Sequence, residues 1–335
     1  MTARRTPVAA FAMRPDLPEQ LFTPDDLAAL TRVADLDPSV TFTDFDDAPA
    51  GLLDRVEILV TGWGAPQIGR AELDRMPKLR AIVHAAGTVK DHLSDAVWDR
   101  GVLVTSAASA NAYPVAEYTL AMILLAGKRV PDAIRGYAHD PEAYADVDPA
   151  IGNFGRTVGI VGASRVGRRV IELLEPFDLR VLLYDPYLEA SDPVLARAER
   201  VGLDELFRRS SIVSVHAPLL PETVGMIGSQ QLDLLPAEAT LINTARAPIV
   251  DQDALTAAVR SRGLRAVLDV TEPEPLPAGH PLRTLPGVVL TPHVAGALGN
   301  ELRRLGECAR HEVERFVAGE PAEHPVTKEA LIAVA

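Results

Sequence analysis

Three short segments in the last third of this 335-residue chain carry residue types able to manage a hydride acceptor and its proton. They are Leu241–Asp251 (LINTARAPIVD), Asp269–Pro275 (DVTEPEP) and Leu290–Gly296 (LTPHVAG), and they supply Arg246, Glu274 and His293. Hydride transfer to a 2-oxo acid needs three such groups. A guanidinium holds the substrate carboxylate through a forked, charge-assisted pair of hydrogen bonds. An imidazole exchanges the hydroxyl proton, and a carboxylate orients and tunes the imidazole. Each residue alone has a plainer reading. Arg246 could serve a surface salt bridge, Glu274 a solvated charge among prolines, and His293 a structural role. Their order, each near a strand end and all after a glycine turn, favours the chemistry.

That turn is Thr157–Gly167, TVGIVGASRVG, read as a strand, a tight turn and a helix from about Val166 to Pro176. A helix N-terminus offers unpaired N–H groups and partial positive charge to a pyrophosphate. The usual fingerprint is G-x-G-x-x-G. Here it is Gly162-Ala-Ser164-Arg165-Val166-Gly167, with serine where glycine normally lets phosphate approach the backbone. The next strand ends in Tyr184-Asp185-Pro186. An acid there accepts hydrogen bonds from ribose hydroxyls and repels a 2′-phosphate, so NAD is favoured over NADP.

Positioning these groups requires strands that all point one way. Pro7–Met13, Val56–Thr61, Leu79–His84 and Val102–Thr105 read as strands, separated by helices near Pro24–Val33, Arg70–Arg75 and Asp91–Arg100. Alternation resumes with Thr157–Val161, Arg180–Tyr184, Ile212–His216, Thr240–Asn243, Ala266–Asp269 and Val288–Thr291. Such alternation predicts parallel sheets covered by helices. Between the two series lies a largely apolar helix, with Pro114 in its first turn and Ser109 or Asn111 as cap. Val130–Gly155, rich in Pro, Asp and Gly, reads as a long connecting excursion. A last amphipathic helix spans roughly Gly299–Ala318.

Composition bounds the partners. A net charge of −13 argues against a nucleic-acid binder, which usually presents a basic face. The lone Cys308 forbids an intrachain disulfide or a thiolate metal cluster, so no metal and a reducing, cytoplasmic setting are expected. Arg4 and Arg5 before the apolar Val8–Met13 imitate a secretion signal, but a first buried strand explains that run better. No apolar run reaches the roughly 18 residues of a membrane span.

From about Leu79 to Gly296 the chain resembles the D-isomer-specific 2-hydroxyacid dehydrogenases. The likeness rests on His216-Ala-Pro218…Glu222-Thr223, Asn243-Thr-Ala-Arg246, Asp269-Val-x-x-x-Glu274-Pro275 and Thr291-Pro-His293. It implies an α/β protein of two domains: a doubly wound Rossmann-type NAD-binding domain, 113–298, inserted in a flavodoxin-like substrate domain, 1–112 and 299–335. Asn111–Tyr113 and Ala297–Asn300 would be hinges, with domain closure excluding water. It implies a hydride exchanged between NAD(H) and a small D-2-hydroxy or 2-oxo acid, of hydroxypyruvate, glyoxylate or phosphoglycerate type.

By that resemblance Arg246 clamps the substrate, Glu274 and not Glu272 is the partner of His293, and His293 is acid in reduction and base in oxidation. Gly162, Ser164, Arg165, Val166, Gly167 and Asp185 would bind cofactor. So would His216, Pro218, Thr223, Thr244, Ala245 and Asp269. Ala86, Gly87 and Thr88, in a loop where the family's usual Asp is replaced by Lys90, would take the substrate carboxylate, and Trp63 would wall the pocket. A homodimer joined through the cofactor domain is implied, with the Pro114–Lys128 helix at its interface. Two other readings stand beside this one: an oxidoreductase acting on phosphite or a phosphonate, and an NAD-sensing protein resembling the C-terminal-binding-protein corepressors.

Overall fold

A computed structural model describes residues 6–139 and 151–333. The chain divides into two compact units, Met1–Asn111 with Ala297–Val334, and Ala112–Gly296.

The first unit holds a five-stranded parallel sheet. Its strands are β1 (Ala9–Ala12), β2 (Thr41–Phe42), β3 (Ile58–Thr61), β4 (Ala81–His84) and β5 (Leu103–Ser106), in the order β2-β1-β3-β4-β5. That is the flavodoxin-like order, whose direction reverses between β1 and β3. Alternate residues feed two cores: Phe11, Ile58, Val60 and Val83 on one face, Ala10, Leu59, Ile82 and Val104 on the other. The helix Leu302–Ala318 returns to cover the first face with Leu305, Ala309 and Val313. A Cβ at Gly306 would sit 1.9 Å from the Leu21 carbonyl oxygen, so only glycine lets this helix come so near. The return is fastened by Arg310, whose Nε donates to Asp26 Oδ1 over 2.9 Å.

The second unit holds a seven-stranded parallel sheet: β6 (Thr157–Val161), β7 (Arg180–Tyr184), β8 (Glu199–Arg200), β9 (Ile212–Val215), β10 (Thr240–Asn243), β11 (Arg265–Leu268) and β12 (Val288–Leu290). Their order is β12-β11-β10-β9-β6-β7-β8, the doubly wound Rossmann arrangement extended by one strand, with its switch point between β6 and β9. Leu182, Leu241 and Leu268 pack on one face, and Leu183, Ile242 and Val267 on the other. Both faces are buried, so these strands read as continuous apolar runs.

Four local expectations need correction. The apolar helix begins at Ala108 and runs to Gly127, so Pro114 lies inside it. Proline there removes an intrahelical hydrogen bond at a cost of about 3 kcal/mol, offset by burial of residues such as Ala116 and Ile123. Val130–His139 is helical, with Pro131 near its start, where a missing N–H costs nothing. Of the rest of that expected excursion, 140–150 lies outside the described residues and 151–155 is loop, as expected. The helix expected over Asp91–Arg100 is only Ala96–Asp99. The helix after the glycine turn covers Arg165–Leu174. Among the described residues no helix is long and apolar enough to cross a membrane.

Candidate active site

In a parallel sheet every strand's carboxyl end lies along one edge. In the second unit that edge collects Gly162 after β6, Asp185 after β7, His216 after β9, Arg246 after β10, Asp269 after β11 and His293 after β12. Open α/β sheets bind ligands at this edge, outside the switch point.

At the switch point, Gly162 has φ +101° and a Cβ there would lie 2.7 Å from the Ala217 backbone nitrogen. A Cβ at Gly167 would lie 2.1 Å from the Gly162 carbonyl oxygen, so both glycines set how tightly strand, turn and helix pack. Ser164 has another task. Its hydroxyl accepts a hydrogen bond from the Gly167 N–H at 3.3 Å and caps the helix. The first-turn N–H groups of Arg165 and Val166 have no intrahelical acceptor, which makes this ten-residue helix a fit for a pyrophosphate. Asp185 receives the Ala163 N–H at 2.7 Å on one oxygen and the Tyr187 N–H at 2.9 Å on the other. A carboxylate has about four acceptor positions, so two are left for ribose hydroxyls.

Glu274 and His293 meet: Nδ1 and Oε1 are 3.0 Å apart, and both side chains are about half exposed. His293 adopts φ +56°, a left-handed conformation costing a non-glycine residue about 1–2 kcal/mol. Asp269, almost fully buried, holds that turn. Its backbone carbonyl accepts the His293 N–H at 3.0 Å. Its carboxylate accepts the Thr291 hydroxyl at 2.6 Å and the Val294 and Ala295 N–H groups at 2.8 and 2.9 Å. The Tyr118 and Thr291 hydroxyls are 2.7 Å apart, which ties the turn to the helix Ala108–Gly127. Tyr118 escaped the sequence reading. Its only signal was a phenol in an apolar helix.

Arg246 stands on the neighbouring turn, which the buried Asn243 shapes by donating to the Arg246 carbonyl at 3.0 Å and accepting the Ala245 N–H at 3.0 Å. The guanidinium is partly buried and donates to the Ala245 carbonyl at 2.7 Å. The Thr244 hydroxyl is 3.2 Å from that of Thr119. A cavity of about 650 Å³ adjoins Glu274, with Asp269, Leu276, Arg283, Leu290 and Pro292 on its wall.

Two expected cofactor contacts have internal partners. His216 is buried with Nε2 2.8 Å from the Ser214 hydroxyl, and burial lowers its pKa to about 3, so the ring is neutral. The Thr223 hydroxyl donates to the Pro218 carbonyl at 2.7 Å and accepts the Leu220 N–H at 2.8 Å, closing the loop after β9.

On the carboxyl edge of the first unit, Ala86 is buried, while Gly87 and Thr88 are partly exposed in the loop after β4. The Thr88 hydroxyl accepts the Lys90 N–H at 3.3 Å. Trp63, after β3, is 40% exposed, enough to offer its ring face. His84 opens the loop from beneath. It is buried, with Nδ1 2.9 Å from the Thr61 hydroxyl, and its ring lies 4.6 Å from that of His92. Asn111 Oδ1 accepts the Ala297 N–H at 2.9 Å, joining the two segments of this unit.

Residues 120–295 match the family model described as D-isomer specific 2-hydroxyacid dehydrogenase, NAD binding domain. The chain is 34% identical over 267 residues to a glyoxylate reductase of Thermofilum pendens, covering 77% of this chain and 78% of that protein. It is 29% identical over 275 residues to a D-3-phosphoglycerate dehydrogenase of Methanocaldococcus jannaschii, covering 81% of this chain. It spans about half, 51%, of that relative's length. Among solved structures, a phosphoglycerate oxidoreductase from Rhizobium etli superposes with a TM-score of 0.81 at 25% identity, over 97% of this chain and 99% of that one.

Proposed function

The chain belongs to the D-isomer-specific 2-hydroxyacid dehydrogenases, and from that premise we propose that it moves a hydride between NAD(H) and a small D-2-hydroxy or 2-oxo acid. Its second unit carries the family's NAD-binding domain. The observation that carries the reading is the 3.0 Å contact between Glu274 and His293, on the same sheet edge as the glycine turn and Arg246.

Each side chain has a separate task in this reading. The nicotinamide, when bound, supplies or takes the hydride. Arg246 holds the carboxylate and oxo group and draws charge toward the oxo oxygen. Nδ1 of His293 faces Glu274, which leaves Nε2 to give a proton to that oxygen in reduction, or to take one from the hydroxyl in oxidation. Glu274 keeps the ring oriented through its contact with Nδ1. Asp269 keeps the strained His293 turn in place. Gly162, Ser164, Arg165, Val166 and Gly167 hold the pyrophosphate, and Asp185 holds the ribose. His216, Pro218, Thr223, Thr244 and Ala245 line the cofactor site through backbone and shape. In the first unit, Ala86, Gly87, Thr88 and Trp63 contact the substrate.

A homodimer in a cytoplasmic setting belongs to the same proposal. The helices Ala108–Gly127 and Val130–His139 leave Leu125, Ile134 and Tyr137 exposed, and Phe154, nearby in sequence, is 89% exposed; exposed apolar side chains of this kind suit a subunit contact. Sedimentation at micromolar concentration checks this, with a single monomer species as the contrary result. The activity is tested by NADH oxidation over a panel of 2-oxo acids that includes hydroxypyruvate, glyoxylate and phosphonopyruvate. Turnover of at least one acid is expected, and no turnover of any would overturn the reading.

A further inference from the structure

We propose that Glu222, held by Tyr187, is a second anionic gate on the adenosine side of the dinucleotide site and excludes a 2′-phosphorylated cofactor. This rests on the NAD reading and assigns a specificity residue to that site.

The sheet order places β6 between β9 and β7. The loops after β7 and β9 therefore flank the glycine turn after β6. Tyr187 comes from the first loop and Glu222 from the second. The Tyr187 hydroxyl donates to Glu222 Oε1 at 3.1 Å, so the two loops are clasped beside the turn. Both ends are anchored. The Tyr187 N–H is held by Asp185 Oδ1 at 2.9 Å, and Asp185 Oδ2 takes the Ala163 N–H of the turn at 2.7 Å. Thr223 fastens the other loop through its bonds to Pro218 and Leu220.

The clasp links two carboxylates through one residue: Asp185 holds the Tyr187 N–H and Glu222 its hydroxyl. The Tyr187 phenol is pushed above its ordinary pKa first by its hydrogen bond to Glu222 and, in smaller part, by the charge of Asp185. Glu222 contacts the hydroxyl directly, while Asp185 holds the same residue by its backbone. A ribose 2′-hydroxyl can donate to either. A 2′-phosphate carries nearly two negative charges and would meet both. Arg168 stands near enough to Asp185 to interact with it. It is already committed: both terminal nitrogens donate to Asp192 at 2.7 Å, and Nε donates to the Ala163 carbonyl at 2.8 Å. Exclusion of the phosphate thus has two parts, anions presented and a guanidinium withheld.

The test measures binding alone, by calorimetry with ADP-ribose and 2′-phospho-ADP-ribose, neither of which carries a nicotinamide. The wild type is expected to prefer ADP-ribose by about a hundredfold or more. Glu222→Gln is expected to shrink that ratio about tenfold. Tyr187→Phe, which frees Glu222 to swing away, should shrink it about threefold. A purely structural role would weaken both ligands together and leave the ratio fixed. An unchanged ratio in Glu222→Gln overturns the gate while leaving the dinucleotide reading intact. Failure of the wild type to bind either ligand removes both.

Discussion

His293, after β12 of the second sheet, and His84, at the end of β4 in the first, sit in opposite settings. On the second unit's edge, His293 is half exposed, sits in a left-handed turn and faces a carboxylate 3.0 Å away. On the first unit's edge, His84 and His92 are buried against each other. Burial lowers their pKa values to about 3 and 4, assisted at His84 by the charge of His92. Beside His84 the chain places Ala85 and Ala86, which are buried, then Gly87. His293 is thus open to solvent and paired with a carboxylate, whereas His84 and His92, like His216 in the second unit, are buried and neutral. Residue type does not assign a role in this molecule. Solvent access and the facing group do.

Substitutions on the reactive edge should cost most. His293→Ala and Arg246→Ala are each expected to lower kcat/KM by about a thousandfold with the fold retained, since general acid–base groups and charged clamps typically contribute on that scale. Steady-state kinetics with circular dichroism checks this, and a loss under tenfold for either would contradict the assigned role. Glu274→Gln should cost about ten- to a hundredfold, because the ring keeps a partner but loses the charge. Recovery of the full wild-type rate in that variant would mean the carboxylate is not used.

For the buried histidines the effects should be thermodynamic. His84, His92 and, in the second unit, His216 are neutral in the folded protein down to about pH 4. Each gains a proton near its ordinary pKa once unfolded. The unfolded state then binds more protons, so stability falls as pH drops from about 6.5 toward 4, by at most about 1.4 kcal/mol per pH unit for each ring. Denaturant titrations over that range should show a shallower slope for His92→Phe. A slope equal to wild type would show that ring is not buried neutral. The smallest effect is expected at Trp63. Trp63→Ala should raise the KM for the oxo acid several-fold and leave kcat within about twofold, and a fall in kcat alone would place the residue elsewhere in the reaction.

Much of the scaffold was legible because buried parallel strands and their caps leave strong marks. β6, β7 and β10 have the bounds the apolar runs indicated, as do the helices Pro24–Val33 and Arg70–Arg75. What escaped was short or long-range. β2 and β8 are two residues each, too short for any period to register. The helix Val130–His139 was hidden by Pro131, Asp132 and Gly136, residues that read as loop. Within the candidate site, the motifs pointed to Glu274 and His293 as a pair. They gave no hint that Tyr118 reaches Thr291 across 173 residues of chain, or that Asp192 occupies Arg168. A sequence pattern marks which groups gather on an edge. Which side chains are spent on holding the edge together becomes visible only in the hydrogen bonds.

The most direct test follows the transferred hydrogen itself. Purified protein, a 2-oxo acid from the panel and NADH deuterated at the transferable position are mixed, and the product is analysed by chiral separation and mass spectrometry. The account predicts the D-hydroxy acid with one deuterium on C2 from the wild type and almost none from His293→Ala. A product of L configuration, or deuterium transfer undiminished without His293, would contradict it.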